Sequence, residues 1–287
     1  MSESVFQTLE RSNAVLHSQH EINHWLGLAY WSNQNDHVTY NTDQVHTLSL
    51  YTQGGEGCRR LDCAKGQGAP GTLCMIPQGQ HSEWEIGDTF SFAHLYFNDQ
   101  AIKRFAAREL DIEPRTVIIP DLTFHRDPVL ADLVVSLFTS PESLLNDQPL
   151  QIEQSVHGIF HHLLSRPNYC HRKGQVLKGG LAPRQSQRLK DYLHCHFDRT
   201  VTLAELGQLV GLSEFHLQRA FKLSHGISPS EYLQEVRVQR AKLALAGNES
   251  LASIALTCGF SNQSYFSRVF KQWVGVSPSR YRKELLI

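Results

Sequence analysis

One pattern occurs twice in the last third of the chain. Leu217-x-Arg219-x-Phe221-Lys222, followed by Gly226-x-Ser228-Pro229-Ser230-x-Tyr232, returns forty-nine positions later as Phe266-x-Arg268-x-Phe270-Lys271 and Gly275-x-Ser277-Pro278-Ser279-x-Tyr281. A repeat of this length is one supersecondary unit used twice, so the carboxyl end must fold as two copies of one small assembly. In the first copy Thr202 can cap a short helix that buries Leu206 and Leu209. Gly211 supplies a sharp turn, and Ser213 offers its hydroxyl to the free N–H groups of a second helix. In the second copy Ala252, Ile254 and Ala255 line the buried side of the short helix, Gly259 turns and Asn262 caps. A short helix, a glycine turn and a capped second helix make a helix-turn-helix.

Each second helix has two faces. Leu217, Ala220 and Phe221 point inward in the first copy, and Phe266, Val269, Phe270 and Trp273 in the second. The outward rows are Phe215, Gln218, Arg219 and Lys222, and then Ser264, Ser267, Arg268 and Lys271, with Gln263 beside them. These side chains suit double-stranded DNA. Arginine can fork onto guanine, glutamine onto adenine, and an exposed phenylalanine can meet thymine methyl groups. Lys222 and Lys271 lie further along and suit phosphate, as do the caps Ser213 and Asn262 at the helix starts. A helix over about 229–246, with Val238, Ala241 and Leu245 as candidate buried positions, joins the two copies. At about 1.5 Å per residue it spans on the order of 25 Å and can fix their separation. The remaining helices of this region are expected at about 184–196, 202–210, 213–224, 250–257, 262–273 and 278–285.

Charge divides the chain in the same place. Residues 183–287 hold 14 Lys+Arg against 8 Asp+Glu, while residues 1–182 hold 13 against 20, within a total of 287 residues and a net charge of −1. A basic tail domain behind an acidic front domain is the asymmetry expected when one half meets a polyanion. The six cysteines show no C-x-x-C spacing, and this length needs no disulfide staples, so reduced thiols are expected. The start of the chain lacks the pattern of a signal peptide, and no apolar run reaches the length of a membrane span. A soluble, cytoplasmic protein with no membrane partner is expected.

The front half reads as strands and turns. Segments 47–51, 72–76 and 90–97 are rich in β-branched and aromatic residues, and Gly54-Gly55, Gly57, Gly66, Gly68 and Gly79 punctuate them. That spacing suggests a small antiparallel barrel or sandwich. Amphipathic helices are expected over about 128–138 and 150–164. The stripe Ile152, Val156, Ile159, Phe160 and Leu163 on the second can pack on its own domain or on a partner subunit. His157, His161 and His162 have helical spacing compatible with zinc. With no further ligand nearby in sequence, a polar solvated or interface face is the preferred reading. Residues 165–182 are polar and Gly/Pro-broken, and read as a linker.

Over about 184–284 the chain resembles the AraC/XylS family of bacterial transcriptional regulators. The stretch Ile254-Ala255-x-x-x-Gly259-Phe260-Ser261-x-x-x-Tyr265-Phe266-Ser267-Arg268-x-Phe270-Lys271 carries that resemblance. The resemblance implies base-reading places at Phe215, Gln218, Arg219, Gln263, Ser264, Ser267 and Arg268. It also implies a homodimer that contacts RNA polymerase, usually as an activator, and a front domain with a cupin-like barrel that binds a small effector and carries dimerisation helices.

The expected architecture is therefore α+β. A cupin-like antiparallel β-barrel with dimerisation helices fills 1–164, a linker 165–182, and an all-α domain with two helix-turn-helix units 183–287. Gly71-x5-Pro77-x-Gly79-x-His81 is similar to the second cupin motif, one residue short before its histidine, and no histidine stands between Leu50 and Gly71. Metal chemistry needs three or four converging ligands, and His81, Glu83, Glu85 and His94 do not reproduce the spacing. We therefore expect an effector pocket without metal or cofactor, built from Trp31, His81, Trp84, Phe92, His94 and Tyr96, and no catalytic residues. Two other readings stay open: a front domain that only dimerises or meets a protein partner, and a cupin enzyme with a DNA-binding appendage.

Overall fold

The computed structural model describes residues 5–63, 66–138, 149–172 and 179–285. The chain forms two compact units. One comprises residues 1–102 and 118–171, the other 103–117 and 172–287.

In the first unit, after a short helix α1 (Val5–Glu10), the chain forms β1 (Val15–Asn23), β2 (Leu26–Asn33), β3 (Asp36–Asn41), β4 (His46–Gln53), β5 (Cys58–Arg60), β6 (Thr72–Ile76), β7 (His81–Ile86), β8 (Phe90–Phe97) and β9 (Leu122–Arg126). These make two open antiparallel sheets, one in the order β1-β2-β8-β4-β6-β9 and one in the order β3-β7-β5. The expected barrel is corrected here: among the described residues no ladder joins β1 to β9, and the smaller sheet pairs only within itself. Glycines serve some of the crossings between the two sheets. The chain leaves the large sheet after Gln53, passes Gly54, Gly55 and Gly57, and resumes at Cys58 in the small one. It changes sheet again at Gly79, between β6 and β7.

The strand registers align Trp31, Phe92 and Tyr51 on neighbouring strands, then Ala29, His94 and Ser49 one pleat along. Trp31, Tyr51, Phe92 and Tyr96 of the large sheet share one core with Val38, Tyr40, Trp84 and Ile86 of the small sheet. Side chains alternate along a strand, so the same strands bury Leu28, Leu48, Leu73 and Leu95 on the opposite face. Helices α3 (Pro128–Ser136) and α4 (Pro149–Ser165) also belong to this unit. Val156, Ile159, Phe160 and Leu163 of α4 are buried, and the Phe160 ring lies 5.2 Å from that of Phe97. The apolar stripe of α4 is thus occupied within its own unit.

His157 and His161 on α4 are exposed, whereas His162 turns inward. Its Nε2 meets Asp127 Oδ2 at 2.7 Å, and Tyr169 Oη donates to the same oxygen at 3.0 Å. Asp127 also caps α3 by accepting from the Leu130 N–H. Burial opposes its charge, but the bonds from His162, Leu130 and Tyr169 win and hold the carboxyl down to about 2. Within the stretch 165–182, Tyr169, Cys170 and Leu181 are buried, while residues 173–178 lie outside the described residues.

The second unit is helical: α5 (Pro183–Cys195), α6 (Leu203–Val210), α7 (Glu214–His225), α8 (Pro229–Leu245), α9 (Leu251–Thr257), α10 (Gln263–Val274) and α11 (Pro278–Leu285). Leu189, Leu193, Leu206, Leu217 and Phe221 form one core together with Leu233 of α8. Around the second copy Phe260, Phe266, Phe270 and Tyr281 make a chain of ring contacts between 5.1 and 5.6 Å. Val238, Ala241 and Leu245 of α8 are buried.

Residues 103–117 join this unit from the front half of the chain. They lie on helix α2 (Asp99–Glu109) and just beyond it. Arg108 donates to the buried Glu235 of α8 at 2.9 Å, with Arg104 Nε 3.7 Å from the same oxygen. The Arg104 guanidinium also lies 4.8 Å over the ring of Trp273 on α10. No helix among the described residues is long and apolar enough to cross a membrane.

Candidate nucleic-acid interface

The two helix-turn-helix copies are built by local chemistry at each end of each helix. Thr202 accepts from the Glu205 N–H, and Glu205 reaches back to the Thr202 N–H, a reciprocal capping box at the start of α6. Gly211 ends α6 in the left-handed region at φ +70°, and Ser213 caps α7 by accepting from the His216 N–H. In the second copy Ser250 caps α9, Gly259 takes φ +81°, and Asn262 caps α10 through its Oδ1, 2.8 Å from the Tyr265 nitrogen. The side chains of Ser213 and Asn262 are therefore engaged in holding the helix starts, and what they leave facing outward is the amino end of each helix.

On α7, Leu217, Ala220 and Phe221 are buried, while Phe215, Gln218, Arg219 and Lys222 are exposed, with Phe215 at 71 %. On α10, Phe266, Val269 and Phe270 are buried and Trp273 is half-buried. Gln263, Ser264, Arg268 and Lys271 are exposed, and Ser267 is half-buried. Every residue expected on the outward rows therefore reaches solvent, Ser267 only in part. Of the residues expected on the buried side of α9, Ile254 and Ala255 are fully buried. Ala252, in the first turn, is exposed instead.

The cations of these rows contrast with four paired arginines elsewhere in the chain. Arg59, Arg60, Arg115 and Arg199 each meet a carboxylate at 2.5–2.8 Å. Among the described residues, Arg219, Lys222, Arg268 and Lys271 have no ion-pair partner. Four cations left unneutralised on two exposed helix faces present a positive surface ready for an anionic ligand.

Two residues that the sequence reading passed over shape this face. The Arg268 guanidinium lies 5.3 Å over the ring of Tyr265, and the Tyr265 hydroxyl accepts from Gln234 Nε2 of α8 at 3.3 Å. Tyr265 and Arg268 stand at i, i+3, a spacing that brings side chains together on a helix, so the pairing was available in the sequence.

The residues expected to form a pocket in the front unit are partly together. Trp84, Phe92 and His94 line an internal cavity of about 20 Å³ along with Tyr40, Ser49 and Tyr51. That is room for about one water molecule. Trp31 and Tyr96 belong to the same core, and Tyr96 Oη lies 2.8 Å from His94 Nδ1. Burial pushes the His94 imidazole down to about 3, so the cavity wall is uncharged at neutral pH. His81 lies apart, exposed on the far face of β7 with Nδ1 3.0 Å from Asn41 Oδ1. The alternation of β7 turns Ser82, Trp84 and Ile86 inward and leaves His81 outside.

A family model for a helix-turn-helix domain matches residues 206–284. The C-terminal domain of AraT, a response regulator from Geobacillus stearothermophilus, is 32% identical, and the match covers 36% of this chain and 86% of that domain with a TM-score of 0.34. The chain belongs to the AraC/XylS family. An uncharacterized HTH-type transcriptional regulator of Staphylococcus aureus is 33% identical over 141 residues, which is 49% of this chain and 18% of that protein. The probable transcriptional regulator LumQ of Photobacterium leiognathi is 34% identical over 95 residues, covering 33% of this chain and 38% of LumQ. The chain thus spans less than half the length of these two relatives.

Proposed function

We propose that this chain is a sequence-specific DNA-binding regulator of transcription acting in the cytoplasm. In this reading α7 and α10 enter successive major grooves of one duplex. The observation that carries it is the pair of exposed, unneutralised rows on two capped second helices, repeated within one unit. Phe215, Gln218 and Arg219 face one set of base edges, and Gln263, Ser264, Ser267 and Arg268 another. Lys222 and Lys271 neutralise phosphate, while the helix starts held by Ser213 and Asn262 offer backbone N–H groups to it.

The front unit is assigned a small effector, bound beside Trp84, Phe92 and His94 with Trp31 and Tyr96 behind them. Its cavity holds about one water molecule. Entry of a larger ligand therefore requires these side chains to move, and the ligand must favour the opened state to act as a switch. The same small volume supports the second reading, a front unit that serves only for dimerisation or a protein partner. The proposal includes a homodimer that activates transcription through RNA polymerase, and it assigns the chain no catalytic step.

The test is binding of the full chain to genomic fragments, followed by footprinting of the preferred site. Arg268→Ala is expected to cost about 1–3 kcal/mol on that site and to relax preference at one position. An equal loss on scrambled DNA would move Arg268 to the phosphate contacts. No preference of the native chain for any fragment over scrambled competitor would remove the proposal. Titration of tryptophan fluorescence with candidate metabolites tests the effector separately. No response from any of them would favour the second reading of the front unit.

A further inference from the structure

The two helix-turn-helix copies share a fold, but their exposed arginines are held differently. In the second copy Arg268 rests 5.3 Å over the Tyr265 ring. Tyr265 is anchored at its backbone, whose N–H donates to the Asn262 cap at 2.8 Å, and its ring is held at two points: the hydroxyl accepts from Gln234 of α8 at 3.3 Å, and the Phe260 ring stands 6.0 Å away. In the first copy the equivalent position, forty-nine residues earlier, is His216, which is exposed and has Nδ1 2.9 Å from Ser213 Oγ of its own cap. Arg219 makes no hydrogen bond, ion pair or ring contact among the described residues.

An arginine that is free before binding loses rotamer freedom when it forks onto a base, and one already laid on a fixed ring loses less. We propose that Tyr265, tethered by Gln234, is a positioning residue that pre-orients Arg268, so that the second copy discriminates its base more sharply than the first. The inference rests on the DNA-reading function proposed above. Tyr265 acts only through Arg268 and contacts no base itself.

The experiment measures binding of the full chain to its preferred site and to scrambled DNA, with each operator position varied. Tyr265→Leu is expected to weaken the preferred site about threefold to tenfold and to leave scrambled DNA within about twofold. Tyr265→Phe keeps the ring but loses the Gln234 tether, and its effect should fall between the two. In an Arg268→Ala background Tyr265→Leu should add nothing, because the residue it positions has gone. His216→Leu should leave preference unchanged. The position relaxed by Arg268→Ala should show a steeper native preference than the one relaxed by Arg219→Ala.

If Tyr265→Leu costs as much in the Arg268→Ala background as in the native one, Tyr265 is structural and the inference fails. It also fails if Tyr265→Leu binds the preferred site as well as native or better. In both cases a native chain that still prefers its site leaves the DNA-reading function standing. A native chain without any preference would instead overturn both.

Discussion

The glycines that turn each copy provide an internal control, because they share a backbone conformation and differ in surroundings. Gly211 takes φ +70° with nothing within 4 Å of where a Cβ would stand. Gly259 takes φ +81°, but a Cβ there would overlap the Phe197 carbonyl oxygen and lie 2.9 Å from Asp198 Cα. That loop is itself held by Arg237, whose Nε donates to Phe197 O and whose terminal nitrogen donates to Arg199 O, each at 2.8 Å. Gly211→Ala therefore bears mainly the left-handed strain, about 1 kcal/mol. Gly259→Ala bears that strain plus overpacking against backbone of about 1–3 kcal/mol. It also weakens charge-assisted hydrogen bonds worth about 1.5–3 kcal/mol each when lost outright. A total of about 3–5 kcal/mol is expected, so the two variants should differ by at least about 2 kcal/mol. Urea unfolding of the full chain, followed by far-ultraviolet circular dichroism of the helices, measures that difference. DNA binding should fall with it, because Gly259 leads into the cap of α10. Equal destabilisation by the two substitutions would refute the argument that the Phe197–Arg199 loop, rather than the φ angle alone, demands glycine at 259.

Three further outcomes are expected. Lys271→Ala should weaken binding to preferred and scrambled DNA alike, and should reduce the slope of log affinity against log salt by about one, read from binding isotherms at several salt concentrations. Asp127→Ala removes the α3 cap and leaves the buried His162 and Tyr169 donors without their acceptor, which should cost the front unit about 3 kcal/mol in urea unfolding. Because the Asp127 carboxyl is held at about 2, below the unfolded value of about 3.9, its contribution is full above that value and is lost as pH falls through 2. The Ala variant should therefore lack that part of the acid transition. Glu235→Ala takes from Arg104 and Arg108 their shared carboxylate and should destabilise the helical unit by about 2–3 kcal/mol, discounted because Arg108 is 42% exposed. A fragment starting at 183 lacks both arginines and should melt below the same helices in the full chain.

What the sequence made legible follows from how local each determinant is. The helices of the carboxyl unit fall within a residue of expectation, and five of them begin at a side-chain cap that the sequence shows: Thr202, Ser213, Ser228, Ser250 and Asn262, with Gly211, Gly226 and Gly275 ending three of the five. The outward rows were legible for the same reason, since helical spacing alone assigns Leu217 and Arg219 to opposite sides. The division of the front strands into two sheets was not, because strand partners lie tens of residues apart and no local signal names them. The membership of residues 103–117 in the helical unit includes contacts such as Arg108 with Glu235 across 127 positions and Arg104 with Trp273, pairings with no signature in either segment. His81 was legible and misplaced. It stands three residues before Trp84, and on a strand that spacing sends the two side chains to opposite faces.

The repeat itself separates what the fold requires from what recognition can vary. At a shift of forty-nine, the inward positions keep their character: Leu217 with Phe266, Ala220 with Val269, Phe221 with Phe270. Of the outward positions, Arg219 with Arg268 and Lys222 with Lys271 are unchanged, whereas Phe215 faces Ser264 and Gln218 faces Ser267. In the reading proposed here, the constant lysine serves the backbone that every sequence shares, and the constant arginine favours guanine in both grooves. The variable pair cannot read alike. A phenyl ring seeks a thymine methyl where a serine hydroxyl accepts several partners, and a glutamine forks onto adenine where a half-buried serine reaches less far. One chain should therefore recognise two unlike half-sites that share a guanine opposite its arginines, so an asymmetric site is the expected operator for a single copy.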